Sequence, residues 1–394
     1  MIERYLLINY SKKKPKLALV LSFISILSIL VLYEVWPRAI TGTVIQTYGE
    51  IQGQIHLTPH LSVQFWLNDT LFATNREEIY RSRDKGLTWA KVAKIEKVNR
   101  SKIESFLNWI SELNVMRPFS KPYPMPVRVL MDGTILAVSE GIYRGRLQEG
   151  QITKLKKVHS GPRGLLQGWD EDKEGNLYYG EYQLGNHSVT NLYWSHDLGK
   201  TWQVKNSFKT IETRHIHCVA YDLFQDVVWI ATGDRDHESR ILFSSDQGES
   251  FQELGAGSQD WRTVSLQFTE DAVFWGTDIP EAKNRLFQWS RINGNRKELL
   301  SVRNPFYYSS QDRNGIIYFS TGAEKPEFGG EKFAELWQIT TNEPPKRLIK
   351  LPRGKLDYSG MIVFAQGTAP KGWVAFSPMN IEGHLSEAVV FHSN

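Results

Sequence analysis

The sequence predicts an all-β fold: a seven-bladed β-propeller of four-stranded antiparallel blades, preceded by one N-terminal transmembrane helix. Three observations lead there. A strand-like segment recurs at a regular interval, an eight-residue turn is spelled three times at matching spacing, and a single long uncharged run stands near the start of the chain.

The recurring segment is a turn rich in Asp, Asn or Gly, followed by a β-branched and aromatic run that ends in small or polar residues. Its copies are NDTLFATN from Asn68, DGTILAVSEG from Asp132, EGNLYYGEY from Glu174, QDVVWIATGD from Gln225, EDAVFWGTD from Glu270, RNGIIYFSTG from Arg313 and KGWVAFSP from Lys371. Branched and aromatic side chains suit a pleated surface. Most copies lead into a second apolar run, such as EIYRS, NLYWS or RILFS. A further strand such as WAKVAKI or FQELG follows, and another candidate lies upstream. Four strands repeating at roughly fifty residues signal a propeller, because one unit cannot bury both sheet faces and stacks on its neighbours.

Counting the copies gives seven blades over residues 40–394. The last blade, from about Lys355, is one strand short, and the segment around GTVIQTY or GQIHLT is expected to complete it and close the ring. One insertion breaks the period. Ile103, Phe106, Leu107, Ile110 and Leu113 have helical spacing, and Ser101 with Glu104 forms a capping-box signature, so a short helix is expected at about 101–116.

Residues 1–16 are basic, ending in KKKPK, and LALVLSFISILSILVLY follows without a charge. A run of this length approaches the hydrocarbon thickness, and Val35 and Trp36 extend it into the interface. Residues 17–36 are therefore expected to be a signal anchor. Positive charge on its N-terminal side keeps that end in the cytoplasm and places the remainder outside, as a single-pass membrane protein. A cleaved signal peptide is the competing reading, although the bulky YEVWPRAITG offers no prompt small-residue cleavage site.

The formal net charge of +4 on 394 residues, with no long basic block, gives no indication of a nucleic-acid partner. The one cysteine, Cys218, excludes an intramolecular disulfide and a Cys-based zinc cluster, and its apolar neighbours read as core.

The eight-residue turn appears as SRDKGLTW from Ser82, SHDLGKTW from Ser195 and SSDQGESF from Ser244. The Asp carboxylates of Asp84, Asp197 and Asp246 suit turn N–H groups. Gly86, Gly199 and Gly248 suit positive φ. Trp89, Trp202 and Phe251 are placed to pack between neighbouring blades. These octapeptides resemble the Asp-box, or bacterial neuraminidase repeat, of sialidase-like propellers; SRINGN at Ser290 looks like a decayed copy. The resemblance implies the propeller fold. It also implies that these turns lie on the rim, away from any active site.

The site is then expected on the opposite face, where second strands end and first strands begin. Second strands close on Asn75, Glu140, Glu181 with Tyr182, Asp234 with Arg235 and Asp236, and Asp278. First strands open on Arg163, Arg214, His215, His217, Trp261 with Arg262, and Tyr307 with Tyr308. Acids and imidazoles offer acid–base chemistry, arginine forks hold carboxylates, and aromatic faces stack on sugars. His215, His217, Asp234, Asp278, Glu181 and Tyr307 are the catalytic candidates; Arg163, Arg214, Arg262, Trp261 and Tyr182 are the substrate-binding candidates. A divalent cation near Asp234 and Asp236 is a further expectation. Each residue also has a structural reading, as a blade-to-blade ion pair, a channel lining or an ordinary charged loop.

Two functions stay open. One is an enzyme on acidic glycans, a glycoside hydrolase or polysaccharide lyase. The other is a propeller that binds a glycan or envelope protein without turnover. The F/Y-R-I-P segment that supplies an active-site arginine in true sialidases is absent.

Overall fold

The computed structural model describes residues 39–96, 125–161 and 165–393, apart from positions 184, 186, 281, 326, 328, 342 and 385. The anchor expected at 17–36, the helix expected at 101–116 and Arg163 lie outside the described residues. No helix among the described residues is long and apolar enough to cross a membrane.

The described chain is built from short strands interrupted by brief helical turns, Thr210–Thr213 and Gln259–Trp261 among them. Its unit is a four-stranded antiparallel meander. Trp169–Glu171, Leu177–Gly180, Val189–Ser195 and Gln203–Lys209 form one unit. Ile216–Asp222, Val227–Thr232, Arg240–Ser244 and Gln252–Ala256 form the next. Leu266–Phe268, Ala272–Gly276, Asn284–Ser290 and Arg296–Val302 repeat it. Phe306–Asp312, Ile317–Thr321, Phe333–Ile339 and Lys346–Pro352 do so again, with Thr368–Ala369 added in parallel to the first strand.

Two further meanders are fused. Ser62–Leu67, Thr70–Asn75, Glu78–Ser82 and Thr88–Ile95 join Val127–Val129, Thr134–Val138, Ile142–Arg146 and Thr153–His159. The outer strands of the two pair in parallel, Thr153 with Ala93 and Leu155 with Ile95. The last sheet holds Met361–Phe364, Trp373–Met379 and Glu387–His392. It is completed from the other end of the sequence: Ile51–Pro59, which contains GQIHLT, pairs with Glu387–His392, and Thr43–Tyr48 lies beyond.

First strands of successive sheets are neighbours. Trp169–Glu171 meets Ile216–Asp222, which meets Leu266–Phe268, then Phe306–Asp312, Met361–Phe364, Ser62–Leu67 and Val127–Val129 in turn. Arg128 returns to Trp169–Glu171, donating to the Trp169 carbonyl at 3.1 Å and pairing with Asp170 at 2.7 Å. The first strands therefore surround one axis.

The apolar cores lie between consecutive sheets. Leu136 and Ile142 pack with Leu177 and Tyr179, and Trp229 packs with Val273, Trp275 and Phe287. Second strands are buried on both faces, which is why they read as unbroken apolar runs; Val227–Thr232 is buried throughout. Outer strands such as Gln203–Lys209 are half exposed. Cys218 is core, and burial pushes its thiol up to about 12.

The octapeptide turns join third to fourth strands. Ser195 Oγ accepts the N–H of Gly199 at 2.9 Å and donates to Asp197 at 2.9 Å. Asp197 accepts from Thr201 N at 2.9 Å and Thr201 Oγ1 at 2.7 Å. Burial pushes the Asp197 carboxyl up, but these hydrogen bonds outweigh it and hold the group at about 2. Ser82 with Asp84 and Ser244 with Asp246 repeat the pattern. Gly199 takes φ +76°, as expected, and Leu198 before it is also left-handed at +60°. The indole N–H groups of Trp89 and Trp202 donate to the carbonyls of Gly86 and Gly199.

Candidate functional site

In the meander that begins at Ile216, Ile216 pairs with Thr232, whereas Val228 pairs with Ser244 at the end that leads into an octapeptide turn. His215 and Asp234 therefore stand at one end of the sheet and the octapeptide at the other.

The loop after Val227–Thr232 is built to present Asp234. Gly233 has φ +87°, and a Cβ there would lie 2.1 Å from the Glu238 backbone, so no larger residue fits. Glu238, buried, accepts the N–H groups of Asp234 at 3.3 Å and Arg235 at 3.1 Å. On the partner strand a bulge between Ile216 and Cys218 re-aims His217.

Three polar atoms converge as a result. His215 Nε2 and His217 Nε2 are 2.8 Å apart, and each lies 3.3 Å from Asp234 Oδ1. Arg214 Nη1 holds Asp234 Oδ2 at 2.9 Å. Arg262 bridges to the next sheet: its Nη2 lies 3.2 Å from Asp234 Oδ1 and 3.3 Å from Asp278 Oδ2, and its Nη1 donates to the Asp234 carbonyl at 2.9 Å. Tyr182 stacks on His215. Further round, Tyr307 donates to Glu324 at 2.6 Å, and Ser359 donates to the other oxygen of Glu324 at 2.8 Å.

The surroundings drive these groups apart electrostatically. Burial raises Asp234, but the close approach of His215 and His217 outweighs it and holds the carboxyl far below the usual carboxylate range. Burial raises Asp278 to about 6 despite the adjacent Arg262. Burial lowers His217 to about 4, against the pull of the adjacent Asp234 carboxylate. Tyr182 is pushed up to about 12 by burial and by the charges of Asp234 and Asp278. Tyr307 is raised well above the phenol range by burial, then by Asp278 and Glu324.

Of the candidates read from sequence, Tyr182, Arg214, His215, His217, Asp234, Arg262 and Asp278 are brought together, with Tyr307 beside them. Three other candidates stand apart from this cluster. Glu181 points into its own sheet, where it accepts the Asn191 N–H at 2.8 Å. Trp261 packs between Trp275, 5.4 Å away by ring centroids, and the Arg296 guanidinium at 4.6 Å. Asp236 accepts from Gln259 at 2.9 Å, and the side chains that converge with Asp234 are His215 and His217. Glu238, Glu324 and Ser359 were missed: Glu238 lies in the Asp234 loop without any local pattern that marks it, and Ser359 meets Glu324 only when two sheets pack.

A second mouth was also missed. A cavity of about 360 Å³ lies at the ends of the first strands, on the octapeptide face, lined among others by Asp170, Glu171, Tyr221, Phe224, Gln311 and Arg313. Burial raises the Glu171 carboxyl there.

No known protein family and no curated protein matches the chain in sequence. Its fold is similar to several solved structures. An oligogalacturonate lyase in complex with manganese matches at TM-score 0.55 and 10% identity, over 90% of this chain and 97% of that one. YCF48 bound to D1 peptide matches at TM-score 0.52 and 11% identity, over 91% and 98%. A GH74 xyloglucanase from Xanthomonas campestris matches at TM-score 0.53 and 11% identity, over 86% of this chain and 52% of that one. An ancestral GH74 enzyme, at TM-score 0.52 and 11% identity, is matched over 88% of this chain and 46% of its own length; the chain spans about half of these GH74 enzymes. At such identities the likeness is one of fold, and the fold is a β-propeller.

Proposed function

We propose that the chain is a seven-bladed, Asp-box type propeller, tethered to a membrane by residues 17–36, that binds and processes an acidic glycan outside the cytoplasm. The observation that carries the reading is Arg262 set between Asp234 and Asp278. One carboxyl is held ionised and the other is raised to about 6, beside the neutral His217. Two titrating groups pushed apart by their surroundings are the arrangement of an acid and a base. Arg214 engages Asp234 through one nitrogen and its side chain is 36% exposed, so further N–H donors remain for a ligand carboxylate. The fold likeness to a GH74 xyloglucanase and to an oligogalacturonate lyase supports the reading.

The test is incubation of the full chain with uronate- and sialate-containing oligosaccharides, reading new reducing ends and unsaturated uronate separately. Reducing ends alone identify a hydrolase; an unsaturated product identifies a lyase. Absence of both product and binding across the panel overturns the reading. A second reading, capture of a glycan or envelope protein without turnover, is favoured by the cavity at the other mouth. Binding without product selects it.

A further inference from the structure

We propose that His215 Nε2, His217 Nε2 and Asp234 Oδ1 hold a divalent ion of the zinc class. The inference starts from where the ring protons sit. His215 Nδ1 faces the Gln183 carbonyl at 3.4 Å, and His217 Nδ1 faces the Thr263 carbonyl at 3.3 Å. A carbonyl oxygen only accepts, so each Nδ1 is the donor, and a ring with its single proton there leaves Nε2 without one. Each Nε2 is then a bare lone pair. Those two lone pairs face one another at 2.8 Å and a carboxylate oxygen at 3.3 Å. Three acceptors at such separations repel unless something positive lies between them.

The spacing fits an ion. Ligands held at about 2.0–2.1 Å around a tetrahedral or octahedral centre are themselves about 2.9–3.3 Å apart. Metal-bound histidines donate their other ring N–H to a carbonyl or carboxylate, which is the arrangement of both rings here. Arg214 and Arg262 grip the Asp234 carboxylate from outside and fix its orientation. The charge of Arg262 is offset by Asp278. Two imidazoles favour zinc or its first-row neighbours over magnesium or calcium. Three protein ligands leave positions open for water or substrate.

The ion would belong to the mouth proposed above for the glycan, but its test needs no glycan. The full chain in detergent is stripped with chelator and titrated calorimetrically with zinc, manganese, magnesium or calcium chloride alone. Bound metal is counted after gel filtration. One zinc per chain is expected, with a raised Tm and no comparable magnesium or calcium binding. His217→Gln and Asp234→Asn are expected to lose the stoichiometric ion. X-ray absorption at the zinc edge of the unsubstituted protein is expected to report two imidazoles in the first shell, a readout independent of whether the variants fold. No stoichiometric binding, a shell without imidazole, or equal calcium binding overturns the proposal. Binding of the ion by a chain that neither binds nor cleaves any glycan of the panel leaves the proposal standing and removes the glycan reading.

Discussion

Tyr182 lies nearly flat on His215, with ring centroids 4.2 Å apart and planes 25° from parallel. The contact crosses between sheets, since Tyr182 follows Leu177–Gly180 and His215 precedes Ile216–Asp222. A stacked aromatic pair contributes about 0.5–1.5 kcal/mol beyond its buried area. Tyr182→Ala is therefore expected to weaken capture of whichever acidic oligosaccharide the proposed panel identifies about threefold to tenfold, because the imidazole loses its support. Tyr182→Phe keeps the stack and is expected to bind as the parent does. Equal losses in the two variants, measured by calorimetry, would assign the effect to the hydroxyl instead.

Asp278 and His217 give folding opposite pH dependences. Burial raises Asp278 from 3.8 to about 6, so its contribution is fully present below pH 3.8 and is lost as pH rises through 6. Burial lowers His217 from 6.5 to about 4, so its contribution is present above pH 6.5 and is lost as pH falls towards 4. Each is on the order of 3 kcal/mol. Within that window they oppose one another, and the chelator-stripped protein is expected to show a shallow Tm profile. Asp278→Asn removes one of the two, and its Tm is expected to fall more steeply than the parent's on acidification from pH 6.5 to 4. Parallel profiles in scanning calorimetry would show that Asp278 is not raised.

Much of this was legible in sequence, and for physical reasons. Second strands are buried on both faces, so their apolar runs are long and their ends are marked by turn residues; Thr232 and Asp234 could be placed that way. The octapeptide is a local hydrogen-bonded unit, so Ser195, Asp197 and Gly199 announce it without help from the rest of the chain. Trp261 and Glu181 stand apart from the cluster because a strand-end position gives no side-chain direction: the Trp261 indole found Trp275, and the Glu181 carboxylate found the Asn191 N–H. Glu324 lies just beyond the end of Ile317–Thr321 and meets Tyr307 across one hairpin, but Ser359 precedes a strand of the next sheet and reaches Glu324 only after the two sheets pack. No local pattern encodes that meeting.

Ser195 is 1% exposed and its hydroxyl satisfies the N–H of Gly199. Ser195→Ala strands that donor in the turn and is expected to cost about 1–3 kcal/mol. The effect should stop there, because the turn lies at the opposite end of its sheet from Tyr182, which stacks on His215 of the next sheet. Urea unfolding is expected to show the lowered midpoint, while zinc stoichiometry stays unchanged. Loss of the ion in a folded Ser195→Ala variant would contradict the separation of the two faces.

Arg291 stands in the turn where SRINGN replaces a full octapeptide, and another interaction stabilises the turn there. Its Nη1 lies 2.5 Å from Asp222 Oδ2 of the preceding meander, with side chains 5% and 0% exposed. Asp222 also accepts the Phe224 N–H at 3.1 Å, and Arg291 lies over the Phe268 ring at 5.8 Å. Buried pairs seldom stabilise more than an apolar replacement would, because both charges lose their water. Removing one partner is different, since it leaves a lone charge in the core. Arg291→Met is expected to destabilise by about 3–5 kcal/mol. Adding Asp222→Asn removes the stranded charge, and the double variant is expected to recover part of that loss. Urea midpoints for the two singles and the double complete the cycle. Additive losses would show that the two residues stabilise the turn independently.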